Sequence, residues 1–317
     1  MLVATRLTYR INRFEILAIA IATVLSVVVS AAVVAWLTQS GYASCGHDDF
    51  GNIEARCLGL ARLGAWVAQI DRVSVGLAPV FPFVAGLLLG APLVAREIDR
   101  GTARLAWSLS PSRLRWYVQR IAPVIVVLGV ASMAIGIVAD RLTGAMMPTA
   151  DLANSFVGFH GRGLLLATSG LMIGSTAVAL GAVIGKPLPT ILLSLILGGL
   201  LVAAVAEVDM KAFLPNETVV DASGQYDERN LNLDSRFQLP DGSLVTWQQL
   251  YDMDPSMAEN GPIYPNVSMI IPGERYREIE TREALAQLGI AALMLVAGAV
   301  VVLRRRPGVW CRPCGRV

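Results

Sequence analysis

Six long apolar stretches constrain the fold of this chain more than any other feature. They cover residues 16–37, 73–95, 121–139, 163–185, 187–206 and 284–303, and each runs for 19 to 23 residues without a charged side chain. A helix rises about 1.5 Å per residue, so each stretch is long enough to cross a hydrocarbon layer of ~30 Å. The sequence therefore predicts an all-α polytopic membrane protein with six transmembrane helices.

The first stretch is longer than the apolar part of a signal peptide, which has about 7–15 residues, and no clear small-residue cleavage site follows it. We therefore expect it to be retained as the first helix. Only 16% of the 317 residues are charged, against ~25% in soluble domains, so composition overrides the two soluble domains that the length alone would allow.

Basic residues are distributed unevenly between the two sides that alternating helices create. If the N-terminus is cytoplasmic, the inside segments hold 15 Lys and Arg residues with 3 acids, and the outside segments hold 11 with 21 acids. Short loops rich in Lys and Arg stay in the cytoplasm. We therefore expect both termini to be cytoplasmic in a multi-pass protein of a bacterial plasma membrane.

Three segments lie outside the predicted bundle. Residues 1–15 have apolar and arginine faces at helical spacing, which predicts an interfacial amphipathic helix. Residues 207–283 form the largest polar piece, predicted to be a small extracellular α+β segment between helices five and six. Within it, Pro240-Asp241-Gly242 indicates a hairpin, and Thr246 with Gln249 fits a helix capping box. Residues 304–317 form a cytoplasmic tail.

The four cysteines fall into two pairs. Cys45 and Cys57 lie in the first outside loop and are a candidate disulfide, with two free thiols as the alternative. Cys311 and Cys314 form a C-x-x-C in the tail, but two ligands are too few for a zinc site, which usually has four. The run His47-Asp48-Asp49 is interpreted as a solvated turn, so no metal site is predicted.

Small residues recur on the second and fourth apolar stretches in G-x-x-x-G spacing, which lets membrane helices approach closely. These six glycines predict tight helix packing within or between subunits: Gly86, Gly90, Gly170, Gly174, Gly181 and Gly185.

The chain carries no recognisable catalytic motif. It lacks a phosphate-binding loop, a G-x-S-x-G elbow and an H-E-x-x-H zinc motif. The apolar stretches contain no charged residue or histidine in their interiors, which argues against a proton path. His160 and Arg162, at the outer mouth of the fourth stretch, are interpreted as interface anchors. We therefore expect a protein that is not itself an enzyme and holds no cofactor.

The segment 96–120 joins the second and third stretches and is punctuated like a folded unit. Gly101 is expected to end the helix that emerges from the membrane, and Thr102 to cap a short helix that continues to Leu109. Ser110-Pro111 fits a helix start, with Ser as N-cap and Pro at the first helical position. A loop whose only role was to keep basic residues in the cytoplasm would need neither this helix break nor this helix start.

This arrangement resembles the permease subunits of type-2 ATP-binding-cassette (ABC) exporters, especially the small actinobacterial ones. The resemblance rests on Glu97, Gly101-Thr102 and the run Leu109-Ser110-Pro111-Ser112-Arg113, together with the six stretches and the amphipathic N-terminus. In that family the segment after the second span carries the coupling helix that docks on the ATPase. The resemblance implies these coupling residues: Glu97, Arg100, Gly101, Thr102, Leu105, Leu109, Pro111 and Arg113.

The resemblance also implies the partners. The chain would pair with itself or a related permease in the lipid bilayer and with two copies of a separate ATPase, which binds ATP and Mg; it would not bind nucleic acid. The cargo is expected to be hydrophobic or amphipathic. Two alternatives stay open: a non-transporting sensor or assembly protein that uses its extracellular segment, and a membrane enzyme acting on lipid.

Overall fold

The computed structural model describes residues 13–41, 66, 69–70, 78–147, 151–208, 218–221, 227, 229–253 and 264–305. Six of its helices are long and apolar enough to cross a membrane, which confirms the predicted fold class. They are α1 (Arg13–Gln39), α2 (Val80–Asp99), α4 (Arg113–Met146), α5 (Gly163–Ile184), α6 (Pro187–Val208) and α8 (Tyr276–Arg304). A short helix, α3 (Thr102–Leu109), lies between α2 and α4.

Helix α5 is the centre of the bundle and packs against α2, α4, α6 and α8. Glycines permit its closest approach, to α2. A β-carbon added to Gly86 would lie 2.9 Å from the backbone nitrogen of Gly174, and one added to Gly90 would lie 2.6 Å from the Gly174 carbonyl oxygen. The helices of this chain therefore meet backbone to backbone at these residues.

The other predicted packing glycines also lie at helix contacts. A β-carbon on Gly170 would collide with Ser132 of α4, and one on Gly181 would lie 3.0 Å from the carbonyl oxygen of Ala91 on α2. Gly185 ends α5 in the left-handed conformation, with φ of 70°, and its amide donates to Gly181. That conformation makes the tight turn into Pro187 and α6.

Helices α1 and α6 turn apolar side chains away from the bundle. Leu17, Ile21 and Val24 of α1 and Leu188 and Ile196 of α6 are each more than half exposed. Such faces suit a hydrocarbon solvent, since lipid tails are as apolar as leucine. Their exposure agrees with a multi-pass membrane protein.

Two helices extend well past the apolar stretches that predicted them. Helix α4 has 34 residues, about 51 Å at 1.5 Å per residue, and so projects beyond a hydrocarbon layer of ~30 Å. Helix α8 begins at Tyr276, after a 3-10 turn at Gly273–Arg275, and runs without a break into the apolar stretch. Helix α2 begins at Val80 behind Pro79, later than the predicted start at residue 73.

A four-stranded antiparallel sheet with strand order β1-β4-β2-β3 lies between α6 and α8 in the sequence. Its strands are β1 (Val219–Asp221), β2 (Leu231–Gln238), β3 (Leu244–Val245) and β4 (Asn266–Ile271), with helix α7 (Trp247–Met253) after β3. The predicted hairpin joins β2 to β3, and the predicted capping box forms: Thr246 and Gln249 each accept the other's backbone N–H.

Several predictions fall outside the described residues. These are the interfacial helix up to residue 12, the candidate disulfide of Cys45 and Cys57, the His47-Asp48-Asp49 run, and the Cys311 and Cys314 pair.

Candidate functional site

The bundle has two ends. We call the end at which α1 begins and α8 finishes the terminus end, and the end that carries the sheet the loop end. The segment 96–120 lies at the terminus end: Arg96 forms an ion pair with Glu15 at the start of α1, and Arg113 donates to backbone carbonyls at the end of α8.

The turn between α2 and α3 depends on Gly101. This residue adopts φ of 72° and ψ of 0°, a left-handed conformation that costs glycine little and other residues more. No atom of the described residues lies within 4 Å of the place where its β-carbon would be, so conformation rather than space demands glycine. Its amide donates to the Ile98 carbonyl at 3.1 Å, which closes the turn.

The caps of this segment differ from the prediction. Thr102 is the first residue of α3 rather than its cap, and its hydroxyl donates to the Glu97 carbonyl at 3.3 Å. Helix α4 is capped by Ser112, whose hydroxyl accepts the Arg115 N–H at 3.1 Å, and not by Ser110. Either serine is chemically competent as a cap. Pro111 therefore lies before the cap instead of opening the helix.

One face of α3 is packed against the bundle. Ala103 is buried, and Ala106 and Trp107 pack on the core. The Trp107 ring meets Trp116 of α4 edge to face, with ring centroids 5.8 Å apart. These contacts hold the short helix in one orientation.

The opposite face of α3 is open. Thr102, Leu105 and Ser108 are exposed, and they share one face because helical residues three and four apart are neighbours. Leu105 is 64% exposed, although it projects from a helix whose other side is firmly packed. Arg100 and Pro111, on either side of α3, are exposed as well. The side chain of Leu109 lies outside the described part of the chain.

Glu97 and Arg113 point inward instead. The Glu97 carboxylate is only 12% exposed and lies 2.8 Å from the Arg120 guanidinium. The Arg113 guanidinium covers the Trp107 ring at 5.0 Å and donates to the carbonyls of Leu303 and Arg305. Both residues join elements of the same chain. Of the predicted coupling residues, Arg100, Gly101, Thr102, Leu105 and Pro111 lie on the open side, and contact of this set with an ATPase stays a prediction.

A buried polar network at the loop end was missed by the sequence analysis. Arg162, predicted to be an interface anchor, is 3% exposed and binds Asp140 of α4 at 3.0 Å. Its guanidinium also donates to three backbone carbonyls of the connection between α4 and α5: Leu152, Ser155 and Val157. A buried guanidinium bound by so many acceptors holds the connection between α4 and α5 in place and is not a surface anchor.

The same network continues along α8. Glu280, Glu283 and Gln287 are all at least 96% buried. Glu280 accepts the Leu164 N–H at the start of α5, and Gln287 accepts the Thr168 hydroxyl at 2.6 Å. Their spacing of three and four residues was the available signal, since it places all three on one helix face. Glu280 and Glu283 lie just before the charge-free stretch 284–303 that predicted the last span, and Gln287 lies inside that stretch.

Among the described residues, no group of three or more His, Cys, Asp and Glu side chains is placed to hold a metal ion.

Residues 16–210 match a protein family described as ABC-2 membrane transporter related. Neither the curated proteins nor the solved structures contain a match. The matched region holds α1 from its fourth residue onward, α2, α4, α5 and α6 together with the α3 segment, and it covers more than half of the chain. This family implies a membrane setting and an ABC ATPase as partner, and its members are generally non-catalytic membrane subunits. The chain belongs to the ABC-2 membrane transporter related family.

Proposed function

We propose that the chain is the permease subunit of an ABC exporter and that a separate ATPase docks on the open face of α3. Two copies of the ATPase would act on a dimer of this chain, or on a pair of this chain and a related permease. ATP and Mg would be bound by the ATPase. The observation that carries the proposal is a short helix fixed on one side by Trp107 and Trp116 and open on the other at Leu105.

The rigidity of α3 supports this role. A force applied to its outer face reaches α4 through the Trp107–Trp116 contact and reaches α8 through Arg113. Packed side chains and hydrogen bonds of this kind can carry coupling between distant parts of a protein. Arg113 and Glu97 are positioning residues in this account, because they orient α3 and the ends of α2 and α4 without touching the ATPase.

Charge supports the orientation that the proposal requires. The terminus end presents Arg13, Arg100, Arg115, Lys186 and Arg304, which the positive-inside rule places in the cytoplasm. An ATPase that uses cytoplasmic ATP must bind on that side. Both termini would then be cytoplasmic, and the sheet would face the outside of a bacterial plasma membrane.

The cargo is proposed to be hydrophobic or amphipathic. The outward faces of α1 and α6 are apolar, and the charged network at the loop end is internally paired. A hydrophilic ion gains nothing from apolar faces of this kind, whereas an amphiphile can pack its apolar part against them.

Leu105→Glu tests the docking surface directly. We expect an ABC ATPase co-expressed with the chain to bind the variant about 10- to 100-fold more weakly, because burying a leucine is worth ~1.5–3 kcal/mol and each ~1.4 kcal/mol is tenfold in affinity. Co-purification in detergent followed by titration measures the change. Met253→Glu is the matched control, since Met253 is 56% exposed at the loop end and should leave binding unchanged. Equal affinity for the Leu105→Glu variant and the unmodified chain would refute docking through this face.

A further inference from the structure

A cleft of about 400 Å³ opens between α4 and α8 at the loop end. Its α4 wall carries Met133, Ile137 and Asp140, which fall on one helix face at spacings of four and three residues. Its α8 wall carries Arg277, Glu280 and Thr281. The cleft is therefore apolar toward the middle of the bundle and charged toward its end.

The sequence places this cleft at the edge of the hydrocarbon layer. On α4 the charge-free stretch 121–139 ends directly before Asp140. On α8 the charge-free stretch 284–303 starts directly after Glu283. Both helices thus change from apolar to charged residues at the height of the cleft. Lipid headgroups occupy this level of a bilayer. Ile137, 51% exposed, continues the apolar wall outward from the bundle.

The acidic wall is held in place by the buried network. Glu280 is 4% exposed, and one of its oxygens accepts the Leu164 N–H at 3.1 Å and the Tyr276 hydroxyl at 3.2 Å. Asp140 is held at 3.0 Å by the buried Arg162, yet its side chain remains 38% exposed. The cleft thus presents two carboxylates whose positions are fixed before any ligand arrives.

Arg277 is the exposed partner in the cleft. Its side chain is 70% exposed, and its guanidinium lies 3.6 Å from the other Glu280 oxygen, longer than a hydrogen bond. An exposed, loosely held arginine can turn to an anionic group at small cost. Turning would leave that Glu280 oxygen ready to accept from a cationic donor.

We propose that this cleft binds a membrane phospholipid whose zwitterionic headgroup carries a primary ammonium. The phosphate binds Arg277, the ammonium donates to Asp140 and Glu280, and one acyl chain follows Met133 and Ile137. A primary ammonium offers three N–H donors, as a lysine side chain does, whereas a quaternary ammonium offers none to the carboxylates. An anionic headgroup would satisfy Arg277 and face the carboxylates as like charges.

Native mass spectrometry of the detergent-purified full chain tests this site with three lipids of matched acyl chains. The probes are phosphatidylethanolamine, phosphatidylcholine and phosphatidylglycerol. We expect the ethanolamine lipid to remain bound at about tenfold higher affinity than either of the others, a difference of ~1.4 kcal/mol and comparable to one charged hydrogen bond. Similar affinities for the three lipids would overturn the proposal.

Three variants locate the binding. Arg277→Gln is expected to reduce ethanolamine-lipid binding about tenfold, by loss of one charge-assisted contact. Arg275→Gln is its matched control, because Arg275 pairs with Glu278 and does not line the cleft. Ile137→Trp narrows the cleft at its apolar wall and leaves the buried polar network unchanged. It should therefore weaken the binding of all three lipids.

Unchanged lipid binding in both Arg277→Gln and Ile137→Trp would also overturn the site, as would a second copy of the chain covering it. The inference depends on the membrane setting but not on the ATPase. Failure of the lipid-binding test would therefore say nothing against docking of the ATPase at Leu105. Failure of the docking test would likewise say nothing against lipid binding in the cleft.

Discussion

Gly101→Pro is expected to abolish association with the ATPase while leaving membrane insertion intact. Proline fixes φ near −65°, whereas Gly101 adopts 72°, so the left-handed turn between α2 and α3 is not available to the variant. Proline also removes the N–H that donates to Ile98 and disfavours the helical conformation of Arg100 before it. Helix α3 then no longer packs on the bundle in the orientation that exposes Leu105. We expect co-purification of the ATPase to fall below detection.

Gly242→Pro is the matched control for that experiment. Gly242 also has a positive φ, of 83°, donates its N–H to a carbonyl three residues earlier, and has no described atom near its missing β-carbon. It lies in the hairpin at the loop end. The control should perturb the sheet and leave ATPase binding unchanged. Loss of binding in both variants would indicate a general folding defect, and retention of binding by Gly101→Pro would contradict the role of α3.

Gly90→Val is expected to prevent assembly of the bundle. Its β-carbon would lie 2.6 Å from the Gly174 carbonyl oxygen and 3.0 Å from the Ala177 β-carbon. The first of these is backbone of the central helix, so it cannot turn aside as a side chain could. Overpacking of this kind costs ~1–3 kcal/mol or more, and here it forces α2 and α5 apart. We expect little monodisperse protein in detergent, and an apparent Tm lower by about 2–12 °C for any that remains.

Gly199→Val makes the same chemical change where there is room. Gly199 lies in α6, and no described atom is within 4 Å of its added β-carbon. Fluorescence-detected size exclusion and thermal unfolding compare the two variants under identical conditions. Equal stability of the two would mean that the close approach of α2 and α5 does not hold the bundle together.

The sequence predicted the parts of this fold that follow from local chemistry. Six spans follow from six uncharged stretches, and the hairpin and capping box follow from turn residues at fixed offsets. The break at Gly101 is of the same kind, since the residue that ends α2 is one that tolerates a left-handed conformation. Each of these features is determined by residues a few positions apart.

The remaining features depend on residues that are far apart in the sequence. In the sequence alone Arg162 looks like an interface anchor, because its partner Asp140 is 22 residues away and only the fold brings the two together. The hydrogen bonds of Arg113 depend on the end of α8, some 190 residues later, which supplies the carbonyls that accept them. The predicted cap of α4, Ser110, was wrong by two residues, because the hydroxyl of Ser112 is an equally competent acceptor for the backbone N–H of Arg115.

Site-specific photo-crosslinking from position 105 tests whether an ATPase docks on the open face of α3. A photoreactive residue replaces Leu105 in the full chain, the chain is co-expressed with the candidate ATPase in membranes, and crosslinked partners are identified by mass spectrometry. The same residue at Met253 serves as the comparison. We expect a crosslink from position 105 to an ATPase that contains a phosphate-binding loop, and none from position 253. Absence of that crosslink, or an equal yield from both positions, would contradict docking on α3 and favour the sensor or assembly alternative.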